Sequence, residues 1–462
     1  MTAPDPGAQP PEAQDPSPPP AGKGGQRHDW RLAMRTEFSD WRTWWARAVV
    51  VAMAVASGLV IVAFTALGEH AFHIFQDLRG MGWWFPLLWT PALAAGLVWL
   101  TRRFAPGAAG SGIPQVMAAL DSGPGARGLF VSLRLSLAKI ALTTGGLLAG
   151  LSIGREGPSV QIAAGVMLQA RRLMPDLRRI PVHGLLVAGG AAGIAAAFNT
   201  PLGGVMFAIE ELARAPERRS SGLIIAAIVL AGLVAVSAHG NGTYFGVIHA
   251  PAPGLGLLLP GLLLAVLAGL AGGLFSRLLI ASLSGQSLDP FSRFRARRPV
   301  LFAAGCGLAV AVIGIVTAGA AFGSGYGATR TMVEGAGAMP PAYALFKFLA
   351  TWLTSWAGVP AGIFAPSLAI GAAIGNDVAL LLYGTQMPAL IALGMVGFLS
   401  AATQAPLTAF IIVMEMVDGH AMVLSLMACA LVAYAVARAI SPPLYATLAG
   451  FQLARLPARP VE

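Results

Sequence analysis

The sequence predicts an all-α protein that crosses a membrane many times, built of tilted and partly discontinuous helices in two related halves. Three observations carry this. Only 11% of the 462 residues are charged and 56% are hydrophobic, with a mean hydropathy of +0.71, whereas soluble domains carry about 25% charged residues. The charges also avoid the middle of the chain: residues 1–48 hold 12 of them, and none falls between Arg219 and Arg277. A membrane-crossing helix needs about 20 apolar residues, and several windows are that long. The third observation is an internal repeat. Together these exclude a soluble enzyme, a nucleic-acid binder and a disordered scaffold.

Taken in order, residues 1–26 form a Pro-rich leader, with eight prolines in the first 20 positions and few large apolar side chains. Such composition cannot support a core and is expected to be disordered. No basic stretch runs directly into an apolar one, so no signal peptide is expected. Residues 27–43, with Arg beside Trp30 and Trp41, suit a helix lying at the membrane interface. A polar lead into the first span is the plainer alternative.

Apolar helical stretches follow near 44–68, 83–101, 129–152, 156–170, 182–198, 201–213, 221–239, 254–283, 299–320, 342–356, 362–383, 388–401, 406–417 and 421–440. Several are too short to cross about 30 Å of hydrocarbon, and Gly and Pro interrupt them. The 57 glycines favour close helix contacts inside lipid. The net charge of +10 comes largely from loop clusters, Arg171, Arg172, Arg178 and Arg179 in one and Arg293, Arg295, Arg297 and Arg298 in another. They are expected to mark the cytoplasmic side. Cys306 and Cys429 sit in apolar runs without metal-ligand spacing and are expected to be packing residues. Glu69, His70 and His73 also make a weak case for a metal.

The repeat divides the chain into halves at 44–239 and 254–440, with a C-terminal helix and tail at 441–462. Gly110-Ser111-Gly112-Ile113-Pro114 is echoed by Gly323-Ser324-Gly325-Tyr326-Gly327. Gly154-Arg155-Glu156-Gly157-Pro158-Ser159 is echoed by Gly362-Ile363-Phe364-Ala365-Pro366-Ser367. Pro201-Leu202, with Glu210 nine positions after the proline, is echoed by Pro406-Leu407 with Glu415 at the same distance. Three ordered matches at nearly constant offset are hard to obtain by chance, even in a Gly-rich chain. An odd number of crossings per half makes such repeats inverted, and sites then lie where discontinuous helices meet near the midplane.

The segments at 110–114, 154–158 and 362–366 are Gly/Pro turns directly before apolar helices. Proline fits the first helical turn, and the free N–H groups there carry the positive end of the helix dipole. Several such ends converging in the membrane hold a small anion without a full cation, so it can also leave. Mere helix breaks are the plainer alternative. Glu156 is a carboxylate at a helix start in apolar surroundings, which marks it as functional. Burial and the helix N-terminus act in opposite senses on its protonation, so it suits a gate that also carries a proton; an ion pair with Arg155 is the alternative. Glu210 and Glu211 point about 100° apart around a helix, so one can pair with basic neighbours while the other faces inward. Glu415 and Lys139 are expected in buried structural pairs. No nucleophilic triad or zinc-protease motif stands out, so no enzyme is expected and no cofactor is required.

The motifs at 110–114, 154–158 and 362–366, with Pro443-Leu444-Tyr445, resemble the signatures of the chloride channel/transporter (CLC) family over roughly residues 44–450. That resemblance implies the CLC fold, two inverted halves, and a homodimer with one pathway per subunit in a bacterial inner membrane. It implies hydroxyl ligands for chloride from Ser111 and Tyr445 and backbone N–H ligands from Ile363 and Phe364. The flanking Gly112, Gly154, Arg155 and Gly157 complete the chloride-binding set. Glu156 matches the family's external gating glutamate, and Glu211 matches the internal proton-transfer glutamate of the exchangers. Retention of both favours proton-coupled chloride antiport over a passive channel, the alternative within the family. Ala361 stands where the family frequently has glycine. Gln115 and Met117 stand where acids often follow, leaving Lys139 without an obvious partner. No regulatory CBS domain is expected after the last helix.

Overall fold

The computed structural model describes residues 41–174, 181–213, 221–240, 242–248, 254–285, 287, 289–382 and 387–456. The chain groups into Met1–Trp44 and Trp45–Glu462, and the fold is that of the second unit. Residues 1–40, Arg178, Arg179 and the basic neighbours of Glu211 lie outside the described residues, and so do the expected leader and most of the interfacial segment.

The helices of the first half are α1 (Trp41–Arg79), α2 (Phe85–Phe104), α3 (Ile113–Asp121), α4 (Pro124–Phe130), α5 (Leu133–Leu148), α6 (Glu156–Met167), α7 (Ala170–Leu173), α8 (Val182–Phe198), α9 (Pro201–Phe207) and α10 (Ser221–His239). Those of the second half are α11 (Leu258–Ser284), α12 (Pro290–Arg297), α13 (Pro299–Val316), α14 (Tyr326–Val333), α15 (Tyr343–Ala357), α16 (Phe364–Leu381), α17 (Met387–Thr403), α18 (Pro406–Met416) and α19 (Val423–Arg438). The last helix, α20, is Leu444–Ala454. Among the described residues the only β pairing is an isolated bridge between Gly154 and Gly362. The fold is all-α, as expected.

Proline opens many of these helices, at or next to the first position of α2, α3, α4, α9, α12, α13 and α18, where its missing N–H costs nothing. Among the described residues, five helices are long and apolar enough to cross a membrane, including the 39-residue α1 and the 27-residue α11. Two of the shorter apolar helices are buried in protein instead. Helices α8 and α17 are Ala/Gly-rich and 17 residues each, about 26 Å long at 1.5 Å per residue. They occupy equivalent places in the two halves and pack against α6 and α16 respectively. A side chain on Gly193 would meet the carbonyl of Ser159 at 2.4 Å, and one on Gly371 the carbonyl of Gly394 at 2.3 Å. The glycines thus set how closely these backbones approach.

Four helices escape the apolar pattern. Helices α3 and α4 lie between expected stretches, α14 sits in what reads as a Gly-rich turn, and α12 lies in the expected basic loop. The expected stretch 129–152 begins later, at Leu133, because Ser132 caps α5 by accepting from the N–H of Leu135. The stretch 201–213 changes character at Ala208, where a π-helical turn carries Glu210 and Glu211, a feature common at functional sites. Cys306 and Cys429 are buried and free, as packing residues should be.

Candidate functional site

Four segments converge: the turns before α3, α6 and α16, and the start of α20. The turns before α6 and α16 are joined by reciprocal hydrogen bonds, Gly154 N–H to Gly362 O at 2.8 Å and Gly362 N–H to Gly154 O at 3.2 Å. Each residue does to the other what the other does to it, as a pseudo-two-fold axis between repeats requires. Ala361 N–H donates to Gly110 O at 3.2 Å, tying in the third turn. The fourth segment enters by stacking: the rings of Tyr445 and Phe364 lie 6.1 Å apart and 8° from parallel.

The Ser111 turn depends on glycine. Gly110 and Gly112 take φ of +79° and +114°, values that L side chains rarely adopt. A side chain on Gly112 would also strike Gly157 O at 2.4 Å. Gln115 clamps the turn from inside, accepting from Gly112 N–H at 2.9 Å and donating through Nε2 to Ala109 O. Lys139 clamps it from outside, its Nζ donating to Ala108 O at 2.8 Å and Gly110 O at 2.5 Å. The partners of Lys139 are therefore carbonyls, where sequence reasoning expected a structural pair and found no counter-charge.

Within this frame Ser111 Oγ and Tyr445 Oη are buried and have no close hydrogen-bond partner, the interaction between the two hydroxyls themselves being a longer one. Buried hydroxyls normally find partners. Two together, beside the N-terminal end of α16, form a cradle of donors for a small anion. Ile363 is the N-cap of α16 and Phe364 its first residue, both buried. Their backbone N–H groups precede the reach of intrahelical acceptors.

Glu156 opens α6 and is 1% exposed. Its carboxylate accepts from the N–H of Ala365 at 3.4 Å, so the acid itself stands at the N-terminal end of α16. Arg155 is not its principal partner. The Arg155 guanidinium donates to Glu69 Oε1 and Thr65 O, at 3.0 and 2.7 Å, and reaches the Tyr244 hydroxyl at 3.2 Å. Arg155 thus serves the site through its backbone, as the N-cap of α6. Glu69 is used as an ion-pair partner, and no metal cluster occurs among the described residues.

Glu211 is half-buried on the π-helical turn, close enough to Tyr445 for its charge to be felt there. Glu210 turns the other way and accepts from the N–H groups of Leu407 and Thr408, at 3.0 and 2.6 Å. Glu415 accepts from those of Leu202 and Gly203, at 3.1 and 2.7 Å. Each half therefore caps a helix of the other. Sequence reasoning missed Lys347 and Tyr244. Lys347 carried a signal, since it follows Lys139 by 208 residues, as Gly362 follows Gly154.

The model of the family described as "Voltage gated chloride channel" matches residues 91–438. The H(+)/Cl(-) exchange transporter ClcA of Citrobacter koseri is 31% identical over 447 residues, covering 88% of this chain and 89% of the relative. Its counterpart in Salmonella typhimurium is 30% identical over 433 residues, covering 89% and 86%. Two crystal structures share the fold. A slow cyanobacterial Cl-/H+ antiporter matches with TM-score 0.75 and 24% identity, over 89% of this chain and 98% of that one. A CLC-type fluoride/proton antiporter matches with TM-score 0.72 and 20% identity, over 87% and 97%. With the family model matching most of its length, relatives alike over more than four-fifths of each chain and helix-end turns gathered around two buried hydroxyls, the chain belongs to the voltage gated chloride channel (CLC) family.

Proposed function

We propose that this protein is a multi-pass, proton-coupled chloride antiporter of the prokaryotic exchanger type, working as a homodimer in a cell inner membrane. Its transport unit comprises the repeats 44–239 and 254–440 and the helix bearing Tyr445. The observation that carries the reading is the position of the Glu156 carboxylate at the N-terminal end of α16, beside the unpartnered hydroxyls of Ser111 and Tyr445. A carboxylate is itself an anion and competes with chloride for such a place. Ionised, Glu156 fills the anion path; protonated, it releases the helix end and frees the path. One side chain is then both gate and proton carrier. Glu211, whose charge also reaches Tyr445, supplies the second proton station.

Chloride is held by Ser111, Tyr445 and the N–H groups of Ile363 and Phe364, with Gly112, Gly154, Arg155 and Gly157 shaping the turns around it. These are partial charges rather than a full cation, which keeps binding weak enough for turnover. The relatives named as H(+)/Cl(-) exchangers support this substrate pair. The chain is a transporter and needs no cofactor.

The test is proton flux in liposomes holding the purified protein, with an imposed chloride gradient and the voltage held near zero by a potassium ionophore. Protons driven against their own gradient establish exchange. Chloride flux without proton movement makes the protein a passive channel and removes the role of Glu211.

A further inference from the structure

Ser111, Tyr445 and Ile363 form the inner end of a cavity of about 690 Å³, within the range of roughly 300–1,000 Å³ typical of ligand sites. Its outer part is lined by Arg102 on α2, Arg295 on α12 and Arg455 just after α20, and no Asp or Glu lines it among the described residues. Arg295 lies within electrostatic range of both other arginines. It is partly engaged, donating to Ser282 O at 3.0 Å at the C-terminal turn of α11. Arg102 and Arg455 are exposed, and neither guanidinium forms a hydrogen bond or ion pair among the described residues. A further donor, the buried Ser355 Oγ, lines the wall without a partner.

We infer that this cavity binds a soluble multivalent phosphate anion, of the size of pyrophosphate or a nucleotide polyphosphate, which obstructs the route to Ser111 and Tyr445. Three guanidinium groups from three separate elements repel one another unless an anion lies between them. Guanidinium forks match phosphate oxygens in pairs, whereas a passing chloride uses no such geometry. The cavity also runs inward between helices to the hydroxyl pair, so a ligand seated in it lies on the anion route. A lipid headgroup would remain at the rim. The binding claim stands on the cavity alone; the obstruction claim rests on the proposed chloride transport.

The test uses the full chain in phosphatidylcholine nanodiscs, titrated calorimetrically with inorganic pyrophosphate. Saturable binding is expected, weakened about tenfold or more by Arg102→Gln and by Arg455→Gln. Arg103→Gln, an exposed neighbour outside the cavity lining, should leave it unchanged. Absence of saturable binding overturns the site, as does equal weakening by all three variants, which would mean general surface charge. Unchanged affinity in discs containing phosphatidylglycerol supports a soluble ligand, and its loss there assigns the site to a headgroup and overturns that choice. In liposomes, pyrophosphate on both faces should slow chloride efflux of the wild type and not of the Arg102→Gln/Arg455→Gln double variant. Calorimetric binding without any wild-type chloride flux would sink the proposed function and leave the phosphate site standing.

Discussion

Lys139 and Lys347 hold the same post in the two halves of the molecule. Each is fully buried, and each gives its ammonium to two backbone carbonyls of a Gly-Ser-Gly turn: Ala108 and Gly110 for Lys139, Ala321 and Gly323 for Lys347, the latter at 3.1 and 2.7 Å. A lysine in this setting acts as a cross-brace. It satisfies carbonyls that the tight turn itself does not bond, Gly110 O being shared with the N–H of Ala361. The two turns differ in what they present. Ser111 has an unpartnered hydroxyl, whereas Ser324 Oγ accepts from the N–H of Tyr326 at 3.3 Å.

Replacing Lys347 with methionine strands two buried carbonyls and should cost stability on the order of 2 kcal/mol, whereas Lys139→Met strands only Ala108 O, since Gly110 O keeps the N–H of Ala361, and should cost less. Only Lys139→Met should also weaken chloride binding, because only its turn carries a free hydroxyl. Thermal unfolding with and without chloride separates the two effects. Equal loss of chloride stabilisation in both variants would show that the braces are not specialised.

Glu156→Gln should reduce proton transport to the leak level while chloride flux persists. The amide keeps the shape of the protonated acid and has no proton to release. Proton and chloride fluxes measured together in liposomes decide this, and unaltered coupling would refute the gate.

The two adjacent glutamates should separate cleanly. Glu211→Gln should uncouple protons from chloride and leave stability nearly unchanged. Glu210→Gln should keep coupling and cost about 1 kcal/mol, since it weakens the cap on α18. Proton transport that survives Glu211→Gln and fails in Glu210→Gln would exchange the roles.

How far the sequence anticipates this structure depends on where each partner sits. The Pro201/Glu210 and Pro406/Glu415 spacings are visible as a repeat, because they are local. That each glutamate caps the other half's helix is not visible, because its partners are backbone groups about 200 residues away. The same holds for Lys139, whose carbonyl partners leave no mark in side-chain identity. Helices α8 and α17 are legible from unbroken apolar composition, whereas α12 hides in an arginine-rich stretch that reads as a loop. The turns of the proposed anion site stand out because Gly and Pro are demanded there by backbone geometry. The arginine-lined cavity gives no local signal, since Arg102, Arg295 and Arg455 meet only through folding.

Helix α12 itself offers the last prediction. Asp289 caps it, accepting from Ser292 N–H at 2.9 Å and from the Ser287 hydroxyl at 2.7 Å. Hydrogen bonding by Ser292 and Ser287 holds its carboxyl well below the usual carboxylate range. A lowered folded-state value means that the stabilisation is complete above the unfolded pKa, about 4, and is lost progressively as pH falls from there through the folded value. The cap should therefore stay intact at pH 4.5, well into the acidic range. Trypsin cutting at Arg293 and Arg297, both exposed, should be slow in the native protein at pH 7. Asp289→Ala should speed it severalfold. A hydrogen-exchange comparison at pH 7 and 4.5, corrected for intrinsic rates, should show unchanged protection of the α12 amides in the wild type. Loss of that protection by pH 4.5 would mean that the cap titrates above the ordinary carboxylate range of about 4 and that the serine hydrogen bonds do not hold the ionised form.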